Sequence, residues 1–304
     1  MPPGHLTDWA ESPGAWPLAC PRCERPLRAQ AGVLACSEGH SFDVAKEGYV
    51  NLLLPQHRTR GLEGDVPEML RARRRFLGGG YYEPLREFVA DAVECALDAA
   101  YGTEPHVGSL CVLETGCGEG YYIGGVAERL GRQNDSREQH RLVLLGTDLS
   151  KSAVKLASKR YPDVSFFVAD VNRRIYVETA SVHLLLDIFA PRNPVEFARV
   201  VVPHGRLLIV VPGESHLRGL REDLGLLGIE EDKEGRMLSQ LAEWFELEDR
   251  RELAYPLELD AAAADDLVTM GPSYWHRTGA GTIGTGEVTF ATEASFVALT
   301  FRRS

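Results

Sequence analysis

The sequence lacks the features that would mark a membrane or secreted protein. None of its apolar runs reaches the roughly 18 residues that a membrane-spanning helix needs. The opening segment, MPPGHLTDWAESPGAWPLAC, has neither the basic start nor the apolar centre of a secretory signal. Only six cysteines occur in 304 residues, and three of them have metal-site spacing, which argues against a disulfide framework. We therefore expect a cytoplasmic protein with no membrane partner.

Positive charge is also scarce, because 33 Lys and Arg are set against 44 Asp and Glu, for a net charge of −11. This balance argues against nucleic-acid binding over the whole surface. The charge is uneven, however: residues 1–86 hold 11 basic and 10 acidic side chains, whereas the remainder holds 22 and 34. One arginine-rich stretch could bind phosphates, although a solvated helix face is the commoner meaning of such a run. Its arginines are Arg58, Arg60, Arg71, Arg73, Arg74 and Arg75.

A zinc site is predicted near the start of the chain, at Cys20, Cys23, Cys36 and His40. The spacing is C-x2-C, twelve residues, then C-x3-H, and each half can fold as a tight turn that directs two ligands to one point. Four protein ligands leave no open position on the metal, so we expect a structural zinc and not a catalytic one. A segment this short buries too little apolar surface to fold alone, and metal binding would supply the missing stability.

The pattern along the chain predicts a division into four parts. Residues 1–17 are rich in proline and glycine and are expected to be flexible. Residues 18–54 are expected to form a small zinc-binding domain. Residues 55–80 are expected to form a basic linker and helix, and residues 81–304 a larger body.

The sequence pattern of residues 81–304 predicts an α/β fold with a doubly wound parallel sheet. Short apolar runs alternate with helical patterns, which is typical of parallel strands covered by helices on both faces. The tail, EVTFATEASFVALTF, predicts a long antiparallel C-terminal strand. The expected parallel strands are 110–115, 141–147, 164–169, 182–189 and 206–211.

A glycine-rich loop, Gly116, Gly118 and Gly120, follows the first of these strands and predicts a cofactor site. Glycines there let the backbone turn sharply and approach a ligand closely. A dinucleotide and S-adenosylmethionine are the competing ligands. The third glycine comes one residue early for a dinucleotide, and an acid inside the loop, Glu119, would repel a pyrophosphate. Together with Glu114 before the loop, this favours S-adenosylmethionine; Glu119 could equally be an acid stabilised by a helix N-terminus.

Two further acids end neighbouring strands. Asp148, in LLGTDLS, could accept both ribose hydroxyls of the cofactor, and Asp170, in FFVAD, would lie near its adenine.

Several motifs together resemble one enzyme family. They are the zinc ligands, FDVAKEGYVNLL, MLRARRRFLGGGYYEPL and LETGCGEGYY. The chain resembles bacterial 23S ribosomal RNA guanine-N1 methyltransferases of the RlmA/TlrB type. The resemblance implies that residues 18–54 are a zinc-binding domain that recognises RNA and that residues 81–304 are a class I methyltransferase (Rossmann-like) domain that uses S-adenosylmethionine. It also implies a guanine in a 23S RNA hairpin as the target. DIFAPRNP, EDKEGR and MGPSYWH are more similar to the branch linked to tylosin and other macrolide resistance.

The resemblance also assigns cofactor contacts. Tyr82 matches a tyrosine that packs on S-adenosylmethionine, and Tyr121 and Tyr122 extend the cofactor loop. His216, in PGESHL, matches a histidine at the cofactor edge. A homodimer would be compatible with these features, although the sequence does not give the oligomeric state.

The chemistry expected on this basis is methyl transfer to N1 of a guanine that is unpaired or flipped out of its helix. Asp187 could accept the guanine N1 proton if it faces the cavity. Phe189, Tyr274 and Trp275 are candidates for stacking on the base, although aromatic residues are more often buried in a core. The alternatives are a small-molecule methyltransferase with a structural zinc module and a non-catalytic zinc protein that binds RNA.

Overall fold

Most of the chain folds around one eight-stranded sheet with helices on both faces. The computed structural model describes residues 16–30, 32–57, 65–101, 109–131, 141–224, 233–271, 274 and 288–304. The strands are β1 (Arg28–Gln30), β2 (Val33–Ala35), β3 (Ser41–Asp43), β4 (Val50–Asn51), β5 (Ser109–Thr115), β6 (Arg141–Asp148), β7 (Ser165–Val168), β8 (Val182–Ile188), β9 (Val201–Pro212), β10 (Phe245–Asp260) and β11 (Thr289–Arg303). The helices are α1 (Pro67–Gly78), α2 (Glu83–Tyr101), α3 (Tyr121–Gly131), α4 (Lys151–Arg160), α5 (Pro194–Val200), α6 (Arg218–Leu224), α7 (Lys233–Leu241) and α8 (Ala261–Thr269). Among these helices, none combines the length and apolar character that crossing a bilayer requires.

The large sheet has the order β10-β11-β9-β8-β5-β6-β7-β4. Neighbouring strands from β4 to β9 are parallel, while β11 is antiparallel to both β9 and β10. The predicted doubly wound sheet with an antiparallel C-terminal strand is therefore confirmed. The chain runs from β5 through β6 to β7 and then adds β8 on the other side of β5. Ligands of such sheets bind at the carboxyl ends of the strands where this order reverses.

The sheet is buried on both faces, which explains the unbroken apolar runs of its strands. Successive side chains of a strand point to opposite faces. In β5, Val112 joins a cluster with Val89 of α2, whereas Leu113 joins a second cluster with Phe197 of α5 and Leu241 of α7. Two separate apolar layers thus hold the strand ends in place from both sides.

The metal-binding segment is attached to the body by backbone hydrogen bonds and apolar contacts. Its three strands β1, β2 and β3 form an antiparallel sheet, and Leu27 and Leu34 belong to the second apolar cluster. The Ala19 N–H donates to the Tyr176 carbonyl at 3.0 Å. Strand β4 lies within the predicted 18–54 domain yet pairs with β7 in the large sheet. The domain limits stay a prediction, and residues 1–15 lie outside the described residues.

Candidate active site and metal centre

The four predicted zinc ligands come together in the structure. One ligand atom from each of Cys20, Cys23, Cys36 and His40 lies within 4.8 Å of all the others. The Cys23 and Cys36 Sγ atoms are 3.6 Å apart, and His40 Nδ1 lies 3.5 Å from Cys36 Sγ. A tetrahedral zinc with bonds of about 2.0–2.3 Å separates its ligands by about 3.3–3.8 Å. The donor set therefore fits a closed Cys3His zinc site.

The backbone around these ligands forms two tight turns. The Cys20 N–H donates to the Arg25 carbonyl at 2.9 Å, and the Gly39 N–H donates to the Cys36 carbonyl at 3.0 Å. Gly39 has a φ of 80°, a conformation that glycine adopts without steric cost. Local hydrogen bonds thus direct each pair of ligands toward the same point.

The predicted cofactor loop lies at the carboxyl end of β5, where the strand order reverses. Gly116, Gly118 and Gly120 all have positive φ, of 64°, 54° and 75°. A Cβ added to Gly116 would lie 2.5 Å from the Ala190 Cβ. Side chains are thus excluded where the loop passes closest to the segment after β8.

Glu114 lies in β5 just before this loop and bonds to the helix that follows it. Its carboxylate is buried and accepts a hydrogen bond from the Ile123 N–H of α3 at 3.0 Å. Burial raises the pKa of Glu114 to about 8, and the nearby charges of Asp148 and Asp187 act in the same direction, although the bond from Ile123 opposes them. A bound cation would reverse part of this effect by favouring the ionised carboxylate.

Asp148 ends β6 and holds the loop through the backbone. Its two oxygens accept the N–H of Gly118 at 2.9 Å and of Ser150 at 2.7 Å. The side chain is half-buried, and burial raises its pKa. On the neighbouring strand end, Asp170 accepts the Asn172 N–H at 3.0 Å. The predicted contacts of Asp148 and Asp170 with ribose and adenine stay predictions.

Tyr82 and His216 meet, although 134 positions separate them. His216 Nδ1 accepts the Ser295 N–H at 3.2 Å, so the ring proton lies on Nε2, which is 3.3 Å from the Tyr82 hydroxyl oxygen. Burial lowers the pKa of His216 to about 4, with Arg221 acting in the same direction. The imidazole is therefore neutral at physiological pH and donates to the Tyr82 hydroxyl.

An aromatic cluster surrounds this pair, and its central member was not predicted from the sequence. The ring centroid of Phe296 in β11 lies 4.8 Å from that of His216, 5.2 Å from that of Tyr82 and 5.6 Å from that of Phe189. Phe296 had no signal beyond being an apolar residue in a predicted strand. Tyr122 lies on the edge of the cluster, with its ring 6.3 Å from Phe189.

The other aromatic candidates have different surroundings. The Tyr121 hydroxyl donates to the Glu83 carboxylate at 3.0 Å, so this side chain joins α3 to α2. The Tyr274 hydroxyl donates to the Glu68 carboxylate at 3.0 Å. Trp275 lies outside the described residues.

Asp187 and Phe189 lie at the carboxyl end of β8 and differ sharply in exposure. The Asp187 carboxyl is fully buried; neither oxygen has a hydrogen-bond partner in the part of the chain that the structure describes, and Arg192 Nη1 is 3.7 Å away. Burial raises the pKa of Asp187 well above its usual range. Phe189 is 41% exposed and has a φ of 56°. The role of Asp187 as proton acceptor stays a prediction, and it requires the carboxyl group to become exposed.

Two of the four arginines of α1 pair with acids of the body, Arg74 with Glu119 and Arg75 with Asp266. Arg73 contacts Asp65, which lies just before the helix. Arg71 is exposed, and no ion pair to it occurs among the described residues. Arg58 and Arg60 lie outside the described residues. The predicted RNA contacts of this run stay predictions.

These residues fit a nucleoside cofactor with a positively charged reacting group. The glycine loop offers close backbone approach, and acidic side chains end three adjacent strands at Glu114, Asp148 and Asp187. Both oxygens of the buried Asp187 have no hydrogen-bond partner in the part of the chain that the structure describes, and a cation bound beside these carboxyl groups would favour their ionised forms. Such a site favours a cation over a pyrophosphate.

Comparison with known proteins agrees with this geometry. A family model described as "RlmA, N-terminal", a zinc ribbon, matches residues 18–60. The 23S rRNA (guanine(748)-N(1))-methyltransferase of Streptomyces fradiae is 39% identical over 260 residues, which is 86% of each chain. A protein of Micromonospora griseorubida, provisionally assigned as a 23S rRNA guanine-N1 methyltransferase, is 35% identical over 85% of this chain and 87% of its own length.

A solved structure supports the fold of the body. The structure of a loganic acid methyltransferase with SAH covers 80% of this chain and 98% of its own, with a TM-score of 0.51 and 12% identity. This likeness shows a methyltransferase fold and no more. Because the identity to the Streptomyces fradiae enzyme reaches 39% over most of both sequences, the chain belongs to the family of 23S rRNA guanine-N1 methyltransferases.

Proposed function

We propose that this protein transfers the methyl group of S-adenosylmethionine to N1 of guanine 748 in 23S rRNA. The observation that carries the proposal is the 39% identity to the Streptomyces fradiae enzyme over 86% of each chain, and the zinc-ribbon match at residues 18–60 supports it. We also propose a cytoplasmic location, where its RNA substrate is found and the zinc thiolates stay reduced.

The glycine loop and the acids below it would hold the cofactor. Bound S-adenosylmethionine supplies an electrophilic methyl group on a sulfonium. The glycine loop would approach the ligand with its backbone. Asp148 holds the loop by accepting the N–H of Gly118, and Glu114 holds the following helix by accepting the N–H of Ile123. The Tyr82–His216 pair and Phe296 would line the cofactor edge and exclude water from it.

Phe189 would hold the guanine. It is the only aromatic side chain among the large exposed hydrophobic residues of the described chain. A non-glycine residue at positive φ is strained, and such strain persists where the surroundings enforce it, often at a functional site. Its ring packs at a tilt against Phe296 and in a T-shaped arrangement with Tyr122, so neighbouring rings support Phe189 while part of it stays exposed. An unpaired guanine could stack on this ring.

RNA binding would involve the zinc domain and the exposed Arg71. Ionic contacts with phosphates make the affinity fall steeply with salt concentration. We propose a hairpin as the recognised element. The homodimer and the link to macrolide resistance stay predictions; tylosin sensitivity of cells with and without the protein tests the second.

Primer extension tests the proposed function. Guanine N1 methylation blocks base pairing, so reverse transcriptase should stop next to position 748 on 23S rRNA treated with the purified protein and S-adenosylmethionine. A transcript with adenine at that position is the matched control and should show no stop. An unchanged stop pattern on the guanine transcript would refute the assignment, and a stop at a different guanine would refute the target.

A further inference from the structure

Helix α1 lies directly over the cofactor loop. The Arg74 Nε donates to the Glu119 Oε2 at 3.0 Å, and Glu119 stands between the second and third glycines of the loop. Arg73 approaches the same loop: its Nη1 would lie 3.4 Å from a Cβ placed on Gly118. Arg73 is itself fixed by Asp65 and, at 3.2 Å, by the Met270 carbonyl.

In the Arg74–Glu119 pair the arginine is exposed and the carboxylate is buried. The Arg74 side chain is 47% exposed, whereas that of Glu119 is only 6% exposed. The second oxygen of Glu119, Oε1, is buried and has no hydrogen-bond partner in the part of the chain that the structure describes. A buried carboxylate that loses its cationic partner is strongly unfavourable. Without Arg74, Glu119 would have to move toward water, and the loop would move with it.

We propose that Arg74 is a positioning residue of the cofactor site. It holds the Gly116–Gly120 loop in the conformation that accepts the cofactor, acting through Glu119, and is not a ligand of RNA phosphate. The arginine run is thus divided, since Arg74 pairs with Glu119 of the loop, whereas Arg71 has no ion pair among the described residues and is left for RNA. The inference rests on the proposed function only in taking S-adenosylmethionine as the ligand of this loop.

Calorimetric titration of the full-length protein with S-adenosylmethionine, without RNA, tests this proposal. Arg74→Ala should weaken binding by about tenfold to a hundredfold, because a hydrogen bond to a charged group is lost. Arg74→Lys should retain part of the affinity through its charge. Combining Arg74→Ala with Glu119→Gln should restore most of the affinity, since no buried carboxylate then lacks a partner. General destabilisation of the fold would not produce this rescue.

Two neighbouring arginines provide matched controls. Arg75→Ala removes an ion pair of the same helix, to Asp266 of α8, and should leave the cofactor affinity unchanged. Arg71→Ala should also leave it unchanged but should weaken RNA binding and reduce its salt dependence by about one counterion.

Two results would overturn the proposal. One is an Arg74→Ala protein with normal cofactor affinity and a reduced salt dependence of RNA binding, which would make Arg74 an RNA ligand. The other is additivity of the Arg74 and Glu119 substitutions, which would mean that the two residues act independently. If Arg74→Ala does not fold, the cofactor affinities of Arg74→Lys, Glu119→Gln and the double variant test the same coupling between the two residues. Failure of the proposed function would differ, because guanine methylation would be absent while the cofactor titration remained interpretable.

Discussion

Substitution of Gly116 by alanine should destabilise the protein more than the same change at Gly80 or Gly118, two other glycines at positive φ. Two costs add at this position. The left-handed backbone costs an L-residue about 1–2 kcal/mol. The new Cβ would also lie 2.5 Å from the Ala190 Cβ, well inside the optimal carbon–carbon separation of about 3.5–4.0 Å. Overpacking of this kind costs about 1–3 kcal/mol, so Gly116→Ala should destabilise the protein by about 2–5 kcal/mol.

Two other glycines separate the contributions. Gly80 has a φ of 80° with no atom within 4 Å of an added Cβ, so Gly80→Ala pays the backbone cost alone. At Gly118 the only atom of the described residues within 4 Å of an added Cβ is the Arg73 Nη1, at an ordinary contact distance of 3.4 Å, so Gly118→Ala should resemble Gly80→Ala in stability. Both should lose about 1–2 kcal/mol.

Urea unfolding of the cofactor-free proteins gives the stabilities, and calorimetric titration gives the affinities for S-adenosylmethionine. Gly116→Ala should be less stable than Gly80→Ala by about 1–3 kcal/mol, and only the loop variants should bind the cofactor more weakly. Equal stabilities of Gly116→Ala and Gly80→Ala would show that Ala190 yields freely. Unchanged affinity in both loop variants would refute the assignment of the loop.

Four other predictions follow from the site. Cys36→Ser should lose zinc and RNA binding while cofactor binding persists, as measured by metal content and titration; loss of all three would place the domain boundary elsewhere. A bound cation should lower the Glu114 pKa from its value of about 8, because it favours the ionised carboxylate. The affinity for S-adenosylmethionine should therefore rise as the pH approaches 8, and Glu114→Gln should weaken this pH dependence. The pKa of the buried His216 is about 4 in the folded protein and near 6.5 in the unfolded chain, so the unfolded chain binds the extra proton first as the pH falls. The free energy of unfolding should therefore decrease between about pH 6.5 and 4, by at most about 1.4 kcal/mol per pH unit. In urea unfolding, His216→Gln should show a weaker dependence of stability on pH over that range. Phe189→Ala should lower kcat/KM on the RNA hairpin roughly five- to 150-fold, which corresponds to a loss of about 1–3 kcal/mol of base stacking. Phe189→Tyr and the control Val195→Ala should retain kcat/KM. An equal decrease in Val195→Ala would contradict stacking.

The local part of the site could be predicted from the sequence because short spacings encode it. Cys20 and Cys23, like Cys36 and His40, lie within one turn of chain, so their spacing already limits where their ligand atoms can point. The cofactor loop is equally local: a buried strand, three glycines and a helix follow one another without a gap. The parallel strands were predicted because burial on both faces requires continuous apolar runs.

The partners of charged and aromatic side chains could not be predicted in this way. Glu119 was interpreted as an acid beside a sulfonium or a helix N-terminus, and the structure pairs it with Arg74, 45 positions away. Arg75 meets Asp266 across 191 positions, and Phe296 reaches His216 from the last strand. Strand β4 also joins the large sheet from within the zinc segment.

The sequence by itself thus determined which ligands the protein can hold, a zinc ion and a methyl donor, because both sites are built largely from neighbours in the chain. The tertiary structure decided how the arginine-rich helix is used. A charged side chain pairs with whatever acid the packing of distant helices and strands brings within about 3 Å, and spacing along the chain carries no information about that distance. Three of the arginines predicted to contact RNA form ion pairs within the protein, and the partner of Arg74 is Glu119 of the glycine loop.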